Sequence, residues 1–380
     1  MSLTGRALVV LVVLLAVAVL AGAVLLWPRL APARPLAVLA RAGTLAATNL
    51  AVLLVVAVVL NDQFGFFADW TDLGGAVGGT AVRTATGGGA TSALFPTTAL
   101  PAAPARTLPP LPPGQGPGGR LLSYSVTGTR SGVTGQVLVD LPAGYRADPH
   151  RAWPVIEAFS GYPGSPGQWI GAMHLPEYLD AAVAARTVGP AIVVSPEIEV
   201  PPGADSECVD AGPGRQVETW VARDVPDWVA HHFRTIPDRR AWATIGLSAG
   251  GWCSAMATML HPQQYGGAVV MGGYWRPAFT GTPLLAPGSP QADRYDLVAL
   301  ARTAPPPVAL WVETSHADHV SYRTSQVMLA AARAPLSLSA VVLTHAGHRL
   351  SVWRDLTPRA LAWLGRTLPG FAPTYVGRAA

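Results

Sequence analysis

Ala241-Trp-Ala-Thr-Ile-Gly246-Leu-Ser248-Ala-Gly250-Gly-Trp252 decides how this sequence is read. A short apolar run, 241–246, meets the string Gly-x-Ser-x-Gly and then a helix-compatible segment, Cys253 to Leu260. Five-residue Gly/Ser strings occur by chance in a chain with 40 glycines, so the flanks carry the weight. Between a strand and a helix, such a serine sits on a strained turn with its hydroxyl raised at the sheet's C-terminal edge. The two glycines let strand and helix approach. Ser248 is therefore read as a nucleophile.

Working outward, the residues from about 121 onward alternate between strand and helix signals. Strand-length runs fall at 121–127, 136–141, 153–159, 191–195, 241–246, 267–271, 308–313 and 336–343. Val217, Trp220, Val221, Val225, Trp228, Val229 and Phe233 form one apolar helical face, with Pro226 marking a kink or boundary. Alternation of this kind predicts an α/β fold with a mostly parallel sheet covered on both faces.

A serine hydroxyl is a weak nucleophile until a base takes its proton, and the base needs an acid to orient it. Downstream, Val308-Ala-Leu-Trp-Val-Glu313-Thr-Ser-His-Ala-Asp318-His is a strand followed by a polar loop. The next strand runs into Thr344-His345-Ala-Gly-His348. Asp318 and His348 fill the acid and base positions, with Glu313 and His345 as competitors. The cluster His316, Asp318 and His319 stands alone at this spacing, and His231 and His232 are adjacent on a helix, so no metal is expected. The oxyanion of acyl transfer needs backbone donors. These are assigned to the N–H of Ala249, directly after the nucleophile, and of Tyr162 in the Gly/Pro loop after 153–159. No cofactor is called for.

The amino-terminal region has a different solvent. Residues 7–27 are 21 uncharged residues, enough for a helix of roughly 30 Å, the thickness of a bilayer's hydrocarbon core. Residues 42–60 form a second, less apolar run containing Thr44, Thr48 and Asn49. Arg29, Arg34 and Arg41 lie between the two runs, against Arg6 alone ahead of the first, so the connecting loop is expected in the cytoplasm and both termini outside. Residues 61–70 carry aromatic side chains suited to an interfacial belt. From 74 to 119 there are 11 Gly and 8 Pro in 46 residues, the composition of a tether rather than of a packed domain. The expected organisation is an anchor over 1–60, an aromatic juxtamembrane segment and linker over 61–119, and a catalytic domain over 120–380.

All basic residues are Arg, and the 26 of them are nearly balanced by 22 acids. Without a basic stripe, a nucleic-acid partner is not expected. The two cysteines, Cys208 and Cys253, make an even count in a domain expected outside the membrane, which favours a bridge over two buried thiols. Trp169, Trp252, Tyr274, Trp275 and Trp353 read either as core or as walls of an acyl pocket.

Together, Ile245-Gly-Leu-Ser248, His261-Pro-Gln-Gln-Tyr265, the Trp311 strand with its following acid, and Gly347-His348 ahead of a Trp resemble the esterase D and mycolyltransferase group. The resemblance covers the chain from about residue 121. It implies an α/β-hydrolase fold and a triad of serine, loop acid and late histidine, matching Ser248, Asp318 and His348. The two-span region with its tether resembles membrane-anchored actinobacterial members of that group. The resemblance implies an extracytoplasmic serine esterase at the cell membrane, acting on an acyl ester such as an envelope lipid or glycolipid. Two alternatives stand beside it: transfer of the acyl chain to an envelope alcohol, and a non-catalytic envelope-binding module on the same fold.

Overall fold

The structure is a computed structural model that describes every residue except 1–2, 4, 32–33, 68, 79–93, 96–98, 105–106 and 378–380. The chain divides into two compact units. One comprises Met1–Arg83, Ser315–His319 and Thr344–Arg349, and the other comprises Thr84–Thr314, Val320–Leu343 and Leu350–Ala380.

In the first unit, α1 (Arg6–Leu26) packs against α2 (Pro35–Phe64). Leu3, Leu8 and Val12 are buried against Val55, Val58, Phe67 and Leu73. The outward faces leave Leu14, Leu25, Leu50 and Leu53 exposed. Both helices are long and apolar enough to cross a membrane, by length and composition. α2 starts at Pro35, ahead of the expected residue 42, because proline's fixed φ suits the first helical turn. It ends at Phe64 and is capped by Gly65, whose left-handed φ of 63° lets its N–H close on the Asn61 carbonyl at 2.8 Å. A short helix, α3 (Trp70–Gly78), then occupies residues where glycine content alone predicts the start of the tether. The run Gly87-Gly-Gly89 of that tether lies outside the described residues.

The second unit is built on an eight-stranded sheet in the order β1-β2-β4-β3-β5-β6-β7-β8. Its strands are β1 (Leu121–Thr127), β2 (Thr134–Asp140), β3 (Val155–Phe159), β4 (Ile192–Pro196), β5 (Trp242–Leu247), β6 (Gly267–Met271), β7 (Ala309–Ser315) and β8 (Ser337–Leu343). β1 pairs β2, and β2 pairs β4, antiparallel, while β4, β3, β5, β6 and β7 run parallel. Every residue of β3 to β7 is buried, as expected when crossover helices cover both faces. The Val217 to Phe233 face is not one straight helix. A π-helical turn, Trp220–Asp224, separates Val217–Thr219 from Val225–His232, and Pro226 opens the last piece.

Two buried polar networks fix the helices on this sheet. The Thr244 hydroxyl on β5 lies 2.7 Å from the Ser254 hydroxyl and 2.8 Å from that of Thr258, both on the helix Ala249–Leu260. The His261-Pro-Gln-Gln-Tyr265 string works through its two ends. His261 Nε2 lies 2.8 Å from Glu218 Oε1, and the Tyr265 hydroxyl donates to Glu157 Oε2 at 2.6 Å. Burial pushes the Glu157 carboxyl up to about 8, offset only partly by Tyr265. Burial opposes ionisation of Glu218 too, but hydrogen bonds from His261, Arg294 and Tyr295 outweigh it and hold the carboxyl down at about 2.

Cys208 and Cys253 are joined, with Cα atoms 5.7 Å apart and a sequence separation of 45. The bridge ties the segment after β4 to the helix that follows Ser248. The neighbouring Trp252 Nε1 donates to the Glu207 carbonyl at 2.7 Å, reinforcing the same junction. Closing a loop of this length is worth about 4 kcal/mol in the chain-entropy description. Cys208→Ser with Cys253→Ser should therefore lower the melting temperature by several degrees in a thermal scan. Unchanged melting would show that the bridge contributes nothing to stability.

Candidate active site

Ser248 stands between β5 and the helix Ala249–Leu260 with φ 55° and ψ −123°, a left-handed backbone that a non-glycine residue adopts only under constraint. The constraint is local. Its N–H donates to the Met271 carbonyl at the end of β6 (2.8 Å), and its carbonyl accepts from Trp252 (3.1 Å). The flanking glycines are required by space. A Cβ on Gly246 would lie 1.8 Å from the Gly250 carbonyl oxygen, and one on Gly250 would lie 2.1 Å from that of Phe159. Strand, turn and helix can close this tightly only without those side chains.

The loop after β3 passes beside the serine. A Cβ on Gly161 would meet the Ser248 Cβ at 3.5 Å. The Gly161 N–H is committed to Gln168 Oε1 at 2.7 Å, and the Gly164 N–H is held by Glu199 Oε1. Between these anchors lies Tyr162. Ala249, the other expected donor, is the first residue of its helix, where an N–H has no intrahelical acceptor. Gln168 and Glu199 hold the loop by single side-chain contacts, which carry no motif and escaped the sequence reading. Next to Tyr162, a cleft of about 260 Å³ is lined in part by Val200, Asp205, Arg215, Phe279 and Leu284.

His348 Nδ1 lies 2.9 Å from Asp318 Oδ2, and both residues are buried. Asp318 sits three residues past the end of β7, and its own N–H donates to the Ser315 carbonyl at 2.9 Å. The Ser315 hydroxyl accepts from the Ala346 N–H at 3.1 Å, tying the acid's loop to the histidine's. The two competitors have contacts of their own. His345 is exposed, with Nδ1 3.2 Å from Asp69 Oδ2. Glu313 Oε2 accepts from the Gly272 N–H (3.0 Å) and from Trp353 Nε1 (3.1 Å).

The large aromatic residues belong to the core. Trp169, Trp252, Trp275 and Trp353 are buried. Their indole N–H groups donate to the Phe159 carbonyl, the Glu207 carbonyl, the Ser325 hydroxyl and Glu313 respectively. The Tyr274 hydroxyl donates to Glu207 Oε1 at 2.5 Å, and burial lifts that carboxyl to about 8 despite the bond.

Residues 130–355 match the family model described as "Putative esterase". The chain belongs to the Esterase family. The strand order and the elbow make it an α/β-hydrolase of that family. An uncharacterised protein of Corynebacterium glutamicum is 30% identical over 137 residues, which are 36% of this chain and 32% of that protein. The chain thus spans about a third of the length of the curated relative it matches. Among solved structures, a ferulic acid esterase is 18% identical with a TM-score of 0.54, over 65% of this chain and 98% of that one. An S-formylglutathione hydrolase from Agrobacterium tumefaciens is 15% identical with a TM-score of 0.53, over 65% and 94%. At these identities the likeness is one of fold.

Proposed function

We propose that this esterase-family chain is a membrane-anchored, extracytoplasmic serine esterase with Ser248 as nucleophile, His348 as base and Asp318 as orienting acid. The observation that carries the reading is the buried 2.9 Å pairing of Asp318 with His348 Nδ1. That pairing leaves Nε2 as the nitrogen that exchanges protons.

In the first half-reaction, Nε2 takes the Ser248 proton as Oγ bonds to the ester carbonyl carbon. The carbonyl oxygen becomes an oxyanion that the Tyr162 and Ala249 N–H groups stabilise. The imidazolium, steadied by Asp318, then gives its proton to the departing alcohol, leaving an acyl-Ser248. Water repeats the sequence and releases the acid. An alcohol in place of that water gives acyl transfer by the same steps, so hydrolysis and transfer differ only in acceptor.

Anchoring is assigned to α1 and α2, on length and composition. The Arg residues near their connection favour a cytoplasmic loop, and the disulfide suits an oxidising exterior. In this organisation 1–60 anchors, 61–119 connects and 120–380 carries the hydrolase. A fluorophosphonate that cannot cross membranes, added to intact cells with permeable outer layers, should label the full-length chain. Labelling only after lysis would put the domain inside, and no labelling in either case would rule out an activated serine.

A further inference from the structure

The turn that carries His348 is held from a distant part of the chain. Residues 347 to 349 each bond to the segment just past α2. The His348 N–H donates to the Gly65 carbonyl at 2.8 Å. The Gly347 N–H donates to Asp72 Oδ2 at 3.0 Å. Arg349 Nη1 donates to the same Oδ2 at 2.5 Å and to the Phe66 carbonyl at 3.1 Å. Its guanidinium also lies 5.0 Å from the centre of the Phe67 ring. A Cβ on Gly347 would come within 2.3 Å of the Phe66 carbonyl oxygen, so the approach needs glycine.

The holding segment is itself fixed. Asn61 uses both ends of its side chain on Phe67, accepting from its N–H at 2.7 Å and donating to its carbonyl at 3.0 Å. Asp69 Oδ1 accepts from the Asp72 N–H at 2.8 Å at the start of α3. Phe67 and Leu73 pack on the cluster of Leu3, Leu8 and Val12. Asp72 is only 2% exposed, and its carboxylate meets Arg349 with little water to screen the pair.

We propose that the juxtamembrane segment Asn61–Asp72 is a working part of the esterase, and that Asp72 is a positioning residue which sets the backbone of His348 through Gly347 and Arg349. The proposal rests on the reading of His348 as the base. A base already bonded at Nδ1 to Asp318 can aim Nε2 only as well as its backbone is placed, and small displacements there cost rate steeply. On this account the functional boundary of the enzyme begins at Asn61, and the anchor is coupled to turnover.

The test uses the full chain in detergent micelles with p-nitrophenyl acetate as substrate. Wild type is compared with Asp72→Ala, Asp72→Asn, Asn61→Ala and His348→Ala. Prolonged reaction with a fluorophosphonate counts the competent sites in each sample. A positioning role predicts undiminished site counts for Asp72→Ala, with kcat per site lowered at least tenfold and KM within about twofold of wild type. Asp72→Asn should recover part of the loss because it can still accept from Gly347. Asn61→Ala, which removes no buried charge, should lower kcat per site in the same direction. If the Asp72 variants lose sites while each remaining site keeps wild-type kcat, the segment is merely structural and the proposal is overturned. If His348→Ala keeps wild-type turnover, the base assignment fails and takes the proposal with it. An inactive His348→Ala beside Asp72 and Asn61 variants with wild-type kcat per site defeats the proposal alone.

Discussion

Ser248→Ala should remove essentially all ester turnover, a loss of about 10⁴-fold or more, because no other group can form the acyl bond. The loss should come without unfolding. The Ser248 backbone is held by Met271 and by the Trp252 N–H, contacts that alanine keeps. The left-handed φ burdens alanine much as it burdens serine. The check is kcat for p-nitrophenyl acetate together with a thermal melt. A folded Ser248→Ala enzyme with a tenth of wild-type kcat would remove Ser248 from the chemistry.

Asp318→Asn should have the next largest effect, a fall in kcat of about 10² to 10⁴-fold with little change in KM. An amide can present its NH₂ to His348 Nδ1, which favours the wrong tautomer and leaves the imidazolium without its partner. Glu313→Gln is the discriminating companion. The Glu313 carboxylate serves the Gly272 N–H and the Trp353 indole, so its replacement should act through stability and leave kcat within a few-fold. If the folded Glu313 variant loses the larger factor, the acid roles are reversed.

The parts of this protein that were legible in sequence are those with a local period or a fixed spacing. Each of the eight expected strands is present, and the elbow sits where its glycines and flanking runs predicted it. Pairing partners were not legible. Nothing in the β2 or β4 sequence declares that they lie side by side antiparallel, because buried strands read alike whichever neighbour they find. The Asn61 to Trp70 aromatics were readable as an interfacial belt. The Phe66 carbonyl and Asp72 also bond to residues more than 270 positions later, a relation no periodicity records. Glycine content likewise hid α3, since Gly74 and Gly75 weaken a helix without forbidding it.

The central claim is that an acyl group passes through Ser248. Rapid acid quenching of the full-length enzyme during turnover of p-nitrophenyl acetate, followed by peptide mass spectrometry, tests this directly. The account predicts an acetyl group on Ser248 that rises within the first turnover and disappears as substrate is consumed. Sustained turnover with Ser248 unmodified, or acetyl found on a different residue, would contradict it.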